Sequence, residues 1–384
     1  MISPFTVVQS QLHTPLHLER FPPAQINRSL QAWDAADEYI VNYVNDNNLT
    51  YETTNILIFN DNFGALALSF NNCRVVQVSD SYVSHQGTLH NSELNHLSNE
   101  NLSQLTSLDA LPDDVDLILY KIPKSKHFLK EQLAKISAKY GTQVTFIAGD
   151  KAKQIQKSTL SIFELFLGTT TTSLAVKKAR LVFCKLDASG PVKAIDDKLS
   201  WTTESPKLTI HNLSNVFARE KLDIGGRFFM AHLPDTNAKK HVIDLGCGNG
   251  VIGLSVLANH QHAEVTFVDE SYMAIASAKM NVASNFPDEL PNCAFVADDC
   301  LTSIVSSSAD IILCNPPFHQ QNAVTDHIAW QMFKDSYRVL KKGGELRIVG
   351  NRQLGYHVKL QRLFGNCTTI ASNKKFVILS AIKK

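Results

Sequence analysis

Two stretches of this chain, 186 residues apart, carry the same residues in the same order, and that repeat constrains the fold more than any other feature. Sliding the sequence along itself sets Gly64, Ala67, Leu68 and Ser69 over Gly250, Gly253, Leu254 and Ser255. With small gaps, Asp80 falls over Asp269, the apolar run Asp116 to Tyr120 over Asp310 to Cys314, and Gly141 over Gly343. Four matching segments in one order predict a duplicated domain, and 384 residues are enough for two. Within each half, short apolar runs alternate with helical periods. The first half offers strands at Asn55 to Phe59, Arg74 to Val78, Asp116 to Tyr120 and Gln143 to Ala148, then a further helix and hairpin-like strands to about Leu186. The second offers His241 to Leu245, Glu264 to Val268, Ala294 to Ala297, Asp310 to Cys314, Glu345 to Val349 and Phe376 to Ile382. Strands alternating with helices predict parallel βαβ units, an α/β fold with helices on both sheet faces. Residues 1–50 read as a polar lead-in followed by a helix, and Asp187 to Pro206, rich in Ser, Thr, Pro and Gly, as the linker between domains or an approach to it. The expected domains are therefore 1–190 and 191–384.

Charge separates along the chain although the net formal charge is +1. Residues 1–118 carry three Lys/Arg against fourteen Asp/Glu, a net of −11, and residues 119–186 carry thirteen against three, a net of +10. Such asymmetry fits a polyanion-facing surface and equally a set of solvated faces on separate helices. The seven cysteines, Cys73, Cys184, Cys247, Cys293, Cys300, Cys314 and Cys367, are odd in number and form no Cys-x-x-Cys pair, which predicts small buried hydrophobes. The fourteen histidines show no metal-binding spacing, so no metal is expected. No apolar run approaches the roughly 20 residues of a membrane span, and the first 23 residues lack a signal-peptide core. A cytoplasmic protein without a membrane partner is expected.

The chemistry concentrates at three strand ends of the second half. Asp244-Leu-Gly-Cys-Gly-Asn-Gly250 lies between an apolar strand and a helix, and Gly246, Gly248 and Gly250 let backbone N–H groups approach a polar ligand at the helix start. Asp269, at the end of the next strand, is placed to accept ribose hydroxyls. Gly248-x-Gly250-x-x-Gly253 also matches the dinucleotide fingerprint, so the loop by itself is compatible with a nicotinamide cofactor. Asp298 and Asp299 end the third strand, where a carboxylate reaches an adenine amine or caps a turn; Asp299 is the favoured contact. After the fourth strand comes Asn315-Pro-Pro-Phe318. Two prolines cannot join a sheet ladder, so the strand ends there and presents an amide, a free carbonyl and a ring together. The segment Phe217 to Arg227 reads either as a lid over this site or as a simple turn and helix. In the first half Asn60, Asn62 and Gly64 stand at the glycine positions, and Lys121-Ile-Pro-Lys124 stands at Asn315-Pro-Pro-Phe318. That half keeps the scaffold without the site, and its lysines are expected to help hold RNA.

Together, Asp-x-Gly-x-Gly-x-Gly, the acid after the second strand and Asn-Pro-Pro-Phe resemble the class I S-adenosylmethionine-dependent methyltransferases that act on exocyclic amines. The duplicated layout is similar to the bacterial ribosomal RNA guanine-N2 methyltransferases. The tail Asn315-Pro-Pro-Phe-His-Gln-Gln with Phe364-Gly-Asn-Cys-Thr-Thr369 resembles their large-subunit branch. The resemblance implies two tandem Rossmann-like domains, a degenerate first one that binds RNA and an intact catalytic second one, acting as a monomer. It implies S-adenosylmethionine as cofactor, with Asp244, Gly246, Gly248, Gly250, Asp269 and Asp299 around it. It further implies 23S rRNA as partner, and Asn315, Pro316 and Phe318 as the groups that hold a flipped-out guanine amine. The motif also suits adenine N6 or a 16S rRNA guanine; an NAD-dependent oxidoreductase and a non-catalytic RNA-binding protein are the more distant readings.

Overall fold

The computed structural model describes residues 2–9, 12–23, 30–187, 195, 198–235, 240–260, 262–317 and 323–384. The chain divides into two compact units, Met1–Asp197 and Lys198–Lys384. The first opens with the antiparallel hairpin β1 (Ile2–Gln9) and β2 (Leu12–His17). Then follow α1 (Ala35–Asp46), β3 (Asn55–Phe59), α2 (Ala65–Ser69), β4 (Arg74–Ser79), α3 (Tyr82–Leu94) and β5 (Leu102–Thr106). It finishes with β6 (Leu117–Lys121), α4 (Lys126–Lys139), β7 (Thr145–Lys151), α5 (Lys157–Leu167), β8 (Thr170–Thr172) and β9 (Ala179–Cys184). The second unit repeats the plan. Its hairpin is β10 (Leu199–Thr202) and β11 (Thr209–Asn212), followed by α6 (Ile224–Met230), β12 (His241–Leu245), α7 (Val251–Asn259), β13 (Glu264–Asp269), α8 (Tyr272–Asn285) and β14 (Cys293–Ala297). Next come β15 (Ala309–Cys314), α9 (Ala323–Val339), β16 (Leu340–Asn351), α10 (Tyr356–Phe364), β17 (Thr368–Ser372) and β18 (Phe376–Ile382). The two seven-stranded sheets run β5-β4-β3-β6-β7-β9-β8 and β14-β13-β12-β15-β16-β18-β17, the same order twice. The duplication read from the sequence is a duplication of topology.

Each sheet is buried on both faces because successive residues of its central strands feed two different cores. Ile56 and Ile58 enter one cluster of the first unit, Leu57 and Phe59 the other. Val242, Ile311 and Leu313 enter one cluster of the second unit, while Ile243, Ile312 and Cys314 enter the opposite one. This two-sided burial is why the central strands read as unbroken apolar runs. The strands missed by that pattern are the edge strands β5 and β17, which are polar and half exposed, and the two N-terminal hairpins. Two asparagines four residues apart on one helix clip each hairpin in place. Asn91 on α3 and Asn95, the cap at its C-terminal end, exchange hydrogen bonds with the backbone of Glu19 and His17. Asn281 and Asn285 on α8 do the same with His211 and Thr209.

Two expectations need correcting. The segment Asp187 to Pro206 is not a linker throughout, since β10 occupies Leu199–Thr202 and belongs to the hairpin of the second unit. Asp80 is not the counterpart of Asp269. Strand pairing sets Val78 beside Phe59 and Val268 beside Leu245, so Ser79 occupies the place of Asp269 and Asp80 lies one residue beyond. The gap allowed in aligning the two halves had slipped the register by one. Lys341–Gly344 forms a bulge inside β16: between the pairs Ala309/Leu340 and Ile311/Glu345, Asp310 alone faces Lys341 to Gly344. No helix among the described residues is long and apolar enough to cross a membrane.

A pair of substitutions between the repeats explains one glycine. A Cβ on Gly253 would meet the Phe267 ring at 2.3 Å, and that ring is fixed by stacking on Phe295 at 5.2 Å. The equivalent positions in the first unit are Ala67 and Gln77, where the smaller neighbour leaves room for a methyl group. Gly253→Ala should therefore destabilise the second unit by about 1–3 kcal/mol, seen as an earlier transition in thermal denaturation. Adding Phe267→Leu should recover part of the loss.

Candidate active site at the carboxyl ends of the second sheet

In a doubly wound sheet, ligands bind beyond the carboxyl ends of adjacent strands whose connections leave to opposite faces. Here those strands are β12 and β15. They pair in parallel with Leu245 opposite Cys314. The helix after β12 packs into one core through Val251 and Leu254, and the helix after β15 into the other through Met332 and Phe333. The glycine loop and Asn315 therefore emerge side by side at one crevice.

The loop is held from below and from the side. Asp244 is 2% exposed, and its Oδ2 accepts a hydrogen bond from Gly253 N at 2.8 Å. Burial pushes its carboxyl up to about 8, against the opposing pull of the Gly253 amide. Gly246 and Cys247 both donate to Val268 O, tying the loop to the end of β13. Asp269 accepts from Gly248 N at 2.9 Å and from Ser271 N at 3.0 Å; burial raises its pKa and these amides resist the rise. Gly248 has a φ of +54° and nothing within 4 Å of the place a Cβ would take, so its loop face is open. Helix α7 begins at Gly250 without a side-chain cap. Its first amides are engaged within the loop, Val251 N donating to Asn249 Oδ1 at 3.2 Å and Gly253 N to Asp244, so what the loop offers a ligand is its open face at Gly248.

The remaining site residues are placed as follows. Asp298 is consumed locally: its oxygens take Asp299 N, Ser303 N and Ser303 Oγ, each at 2.8 Å, which makes it the cap of the turn. Asp299 is the other acid at the end of β14. Its Oδ2 accepts from Gln331 Nε2 at 2.9 Å, and burial raises its pKa. Asn315 follows β15 directly; its side-chain Oδ1 is buried and has no hydrogen-bond partner among the described residues. Pro316 is buried. Phe318 lies outside the described residues. The segment Phe217 to Arg227 is a turn and the start of α6, capped by Asp223 and pinned where Trp201 Nε1 donates to the carbonyls of Ala218 and Arg219. Sequence reading missed Gln331, Met332, whose methyl carbon lies 3.2 Å from the Cβ position of Gly246, and Asn249, whose Nδ2 donates to Asn212 Oδ1 at 2.8 Å. Among the described residues no group of three or more His, Cys, Asp or Glu is arranged to hold a metal ion.

The corresponding crevice of the first unit is filled by its own side chains. Asp61, at the place of Cys247, accepts from Gly64, Leu66 and Ala67 N and so occupies the start of α2 with a carboxylate. Asn60, at the place of Gly246, reaches across to Lys121 O and Gln132 Oε1, and Tyr120 donates to the same Gln132 oxygen. Lys121 sits at the place of Asn315, since Phe59 pairs with Tyr120 as Leu245 pairs with Cys314. Its ammonium lies 2.7 Å from Asp34 and 2.6 Å from Asp37, which raises the lysine pKa against the cost of burial. The expectation that this lysine faces RNA is thereby corrected: it is 7% exposed and paired inside the fold. Lys135, Lys139 and Lys177 are likewise paired, with Glu131, Asp113 and Glu38.

Two outcomes follow from these geometries. A buried carboxyl with a raised pKa keeps a proton in the folded state that the unfolded chain has already released, so stability falls as pH rises from about 4 toward 8 and then levels. Thermal denaturation of the ligand-free chain should show Asp244→Asn gaining on the parent protein across that window. Lys121→Met leaves Asp34 and Asp37 close together without their cation and should lower the stability of the first unit by about 3–5 kcal/mol, measured by chemical denaturation at neutral pH.

Comparisons with known proteins agree with this division. Residues 8–188 match the RLMG N-terminal domain and residues 207–380 the methyltransferase small domain. The chain is 57% identical over 396 residues to the ribosomal RNA large subunit methyltransferase G of Colwellia psychrerythraea (strain 34H), covering 100% of both chains. It is 49% identical over 377 residues to the Klebsiella pneumoniae (strain 342) protein of that name, covering 98% of each. In fold it is similar to the T. Thermophilus 16S rRNA N2 G1207 methyltransferase in complex with AdoMet and guanosine, with a TM-score of 0.77, 18% identity and coverage of 91% and 92%. The chain belongs to the ribosomal RNA large subunit methyltransferase G family.

Proposed function

We propose that the chain transfers a methyl group from S-adenosylmethionine to the exocyclic N2 amine of a specific guanine in 23S ribosomal RNA. The observation that carries this reading is the buried Oδ1 of Asn315, without a partner among the described residues, beside an open glycine loop at the switch point of the second sheet. A buried acceptor left without a donor costs about 1–3 kcal/mol, and a substrate amine supplies the donor. S-adenosylmethionine, when bound, supplies an electrophilic methyl group on a sulfonium centre. The open face of the loop at Gly246, Gly248 and Gly250 suits its polar end, Asp269 its ribose, and Asp299, positioned by Gln331, its adenine amine.

The exocyclic amine of guanine is a weak nucleophile because its lone pair is delocalised into the ring. Asn315 Oδ1 and the Pro316 carbonyl accept its two N–H groups and draw the nitrogen toward a geometry with a usable lone pair. Phe318 stacks on the base and fixes its plane. None of these groups is a base, so the proton leaves to solvent from the methylated amine, and positioning with oriented dipoles provides the acceleration. Guanine over adenine is supported by the family resemblance and by the T. Thermophilus protein of similar fold, a 16S rRNA N2 G1207 methyltransferase. The first unit, whose crevice is filled by Asp61, Asn60 and Lys121, acts as a degenerate, non-catalytic copy that contributes to RNA binding.

The test is transfer of a labelled methyl group to an unmodified 23S rRNA transcript, followed by nucleoside analysis. N2-methylguanosine is expected; N6-methyladenosine, or no transfer despite RNA binding, overturns the reading. Asn315→Ala should lower transfer by at least about 100-fold while S-adenosylmethionine affinity stays within a few-fold. Retained activity would remove the role given to Asn315.

A further inference from the structure

We infer that Arg352, Lys374 and Lys375 form a preset cradle for the RNA backbone on the rim of the catalytic crevice, next to the nucleotide being modified. The inference rests on the methyltransferase reading of the second unit and adds to it the surface that docks the substrate. Strand register places the three residues. Cys314 pairs with Ile348, so Asn315 is level with Val349 on the neighbouring strand. Three residues further along, where β16 has ended at Asn351, comes Arg352, roughly 10 Å beyond Asn315 and one strand across at about 3.3 Å per residue. Because β18 runs antiparallel and begins with Phe376 opposite Asn351, Lys374 and Lys375 arrive at the same rim.

These cations are held, and they are not neutralised. Arg352 N donates to Lys375 O at 3.0 Å, and Arg352 Nη1 donates to Asn373 O at 3.3 Å. Asn373 Oδ1 accepts from Lys375 N at 2.9 Å and Phe376 N at 2.7 Å, closing a tight turn that carries both lysines. The Lys375 ammonium lies 5.2 Å from the Phe376 ring centroid. All three side chains are exposed, and among the described residues no carboxylate lies within ion-pair distance of any of them. From Lys334 to Lys384 the chain carries twelve Lys/Arg and two Asp/Glu, a net of +10 equal to that of the basic segment in the first half.

The repeat provides the contrast. Asn351 pairs with Phe376 as Lys151 pairs with Ala179, so Lys177, Lys178 and Ala152 stand where Lys374, Lys375 and Arg352 stand. The same backbone bond survives, Ala152 N to Lys178 O at 2.8 Å. Yet the arginine is gone, and Lys177 is paired with Glu38 at 2.6 Å. The turn is inherited by both units; the uncompensated charge belongs to the unit with the open crevice. A base turned out of its stack leaves its flanking phosphates outside the pocket, at the level of this rim.

The experiment measures binding of the full chain to an unmodified 23S rRNA transcript across a range of KCl concentrations. Arg352→Gln/Lys374→Gln/Lys375→Gln should reduce the slope of log affinity against log salt by about 2–3, at roughly 0.7–0.9 for each phosphate no longer neutralised. Affinity for S-adenosylmethionine and the rate at saturating RNA should not change. The charge-keeping variant Arg352→Lys/Lys374→Arg/Lys375→Arg should restore the slope. Lys342→Gln/Lys384→Gln, at the opposite end of the same strands, should leave it as in the parent. An unchanged slope in the triple variant, or an equal drop in the Lys342/Lys384 control, overturns the inference. The slope is read without catalysis, so failure of the parent protein to methylate the transcript would overturn the transfer reading alone.

Discussion

The crevice between β12 and β15 exists because two adjacent parallel strands send their chains to opposite faces of one sheet, and each feature of the site follows from it. The glycine loop has to turn at the end of β12 to enter α7, and its amides are tied to β13 by Gly246, Cys247 and Gly248. The double proline has to end β15, which holds the Asn315 amide at the mouth of the same crevice. Asp244 supports the arrangement from beneath at an electrostatic cost, visible in its raised pKa. A buried carboxyl and a buried amide oxygen without a partner among the described residues, within one small region, cost stability that a folded scaffold tolerates where ligands supply the missing partners.

The first unit shows what the same scaffold becomes without that demand. Its crevice is closed by ordinary structural chemistry: a carboxylate at the start of α2, an asparagine–glutamine–tyrosine network and a lysine between two aspartates. The groups that fill it are polar and hydrogen-bonded, as burial requires. Between two units of identical strand order, the closed and the open crevice are distinguished by a handful of side chains at one sheet edge, and function is read from those side chains, not from the fold.

Much of this was legible in the linear sequence. Central strands appear as apolar runs because both of their faces are covered, and Asn-Pro-Pro-Phe announces a strand end by its chemistry alone. Edge strands such as Thr368–Ser372 were hidden because they are largely exposed and mostly polar, so no apolar run or alternation marks them. The hairpin clips were hidden differently. Asn281 and Asn285 look like a solvated helix face until the strand they hold is known, although the matching spacing of Asn91 and Asn95 was there to be seen. Lys121 misled because a lysine in a basic segment reads as surface, and its partners, Asp34 and Asp37, are more than eighty residues away in sequence. The pair Asp298 and Asp299 was ambiguous for the same reason: their surroundings differ through Ser303, which bonds Asp298, and Gln331, which bonds Asp299, and neither is adjacent.

The central claim is that one of two topologically identical crevices holds the methyl donor. The most direct measurement is the stoichiometry of S-adenosylmethionine binding to the full chain by isothermal titration calorimetry. One site per chain is expected, retained when Lys121 is replaced and lost when Gly248 is replaced by a bulky residue. Two sites per chain, or one that survives the change at Gly248, would contradict the account.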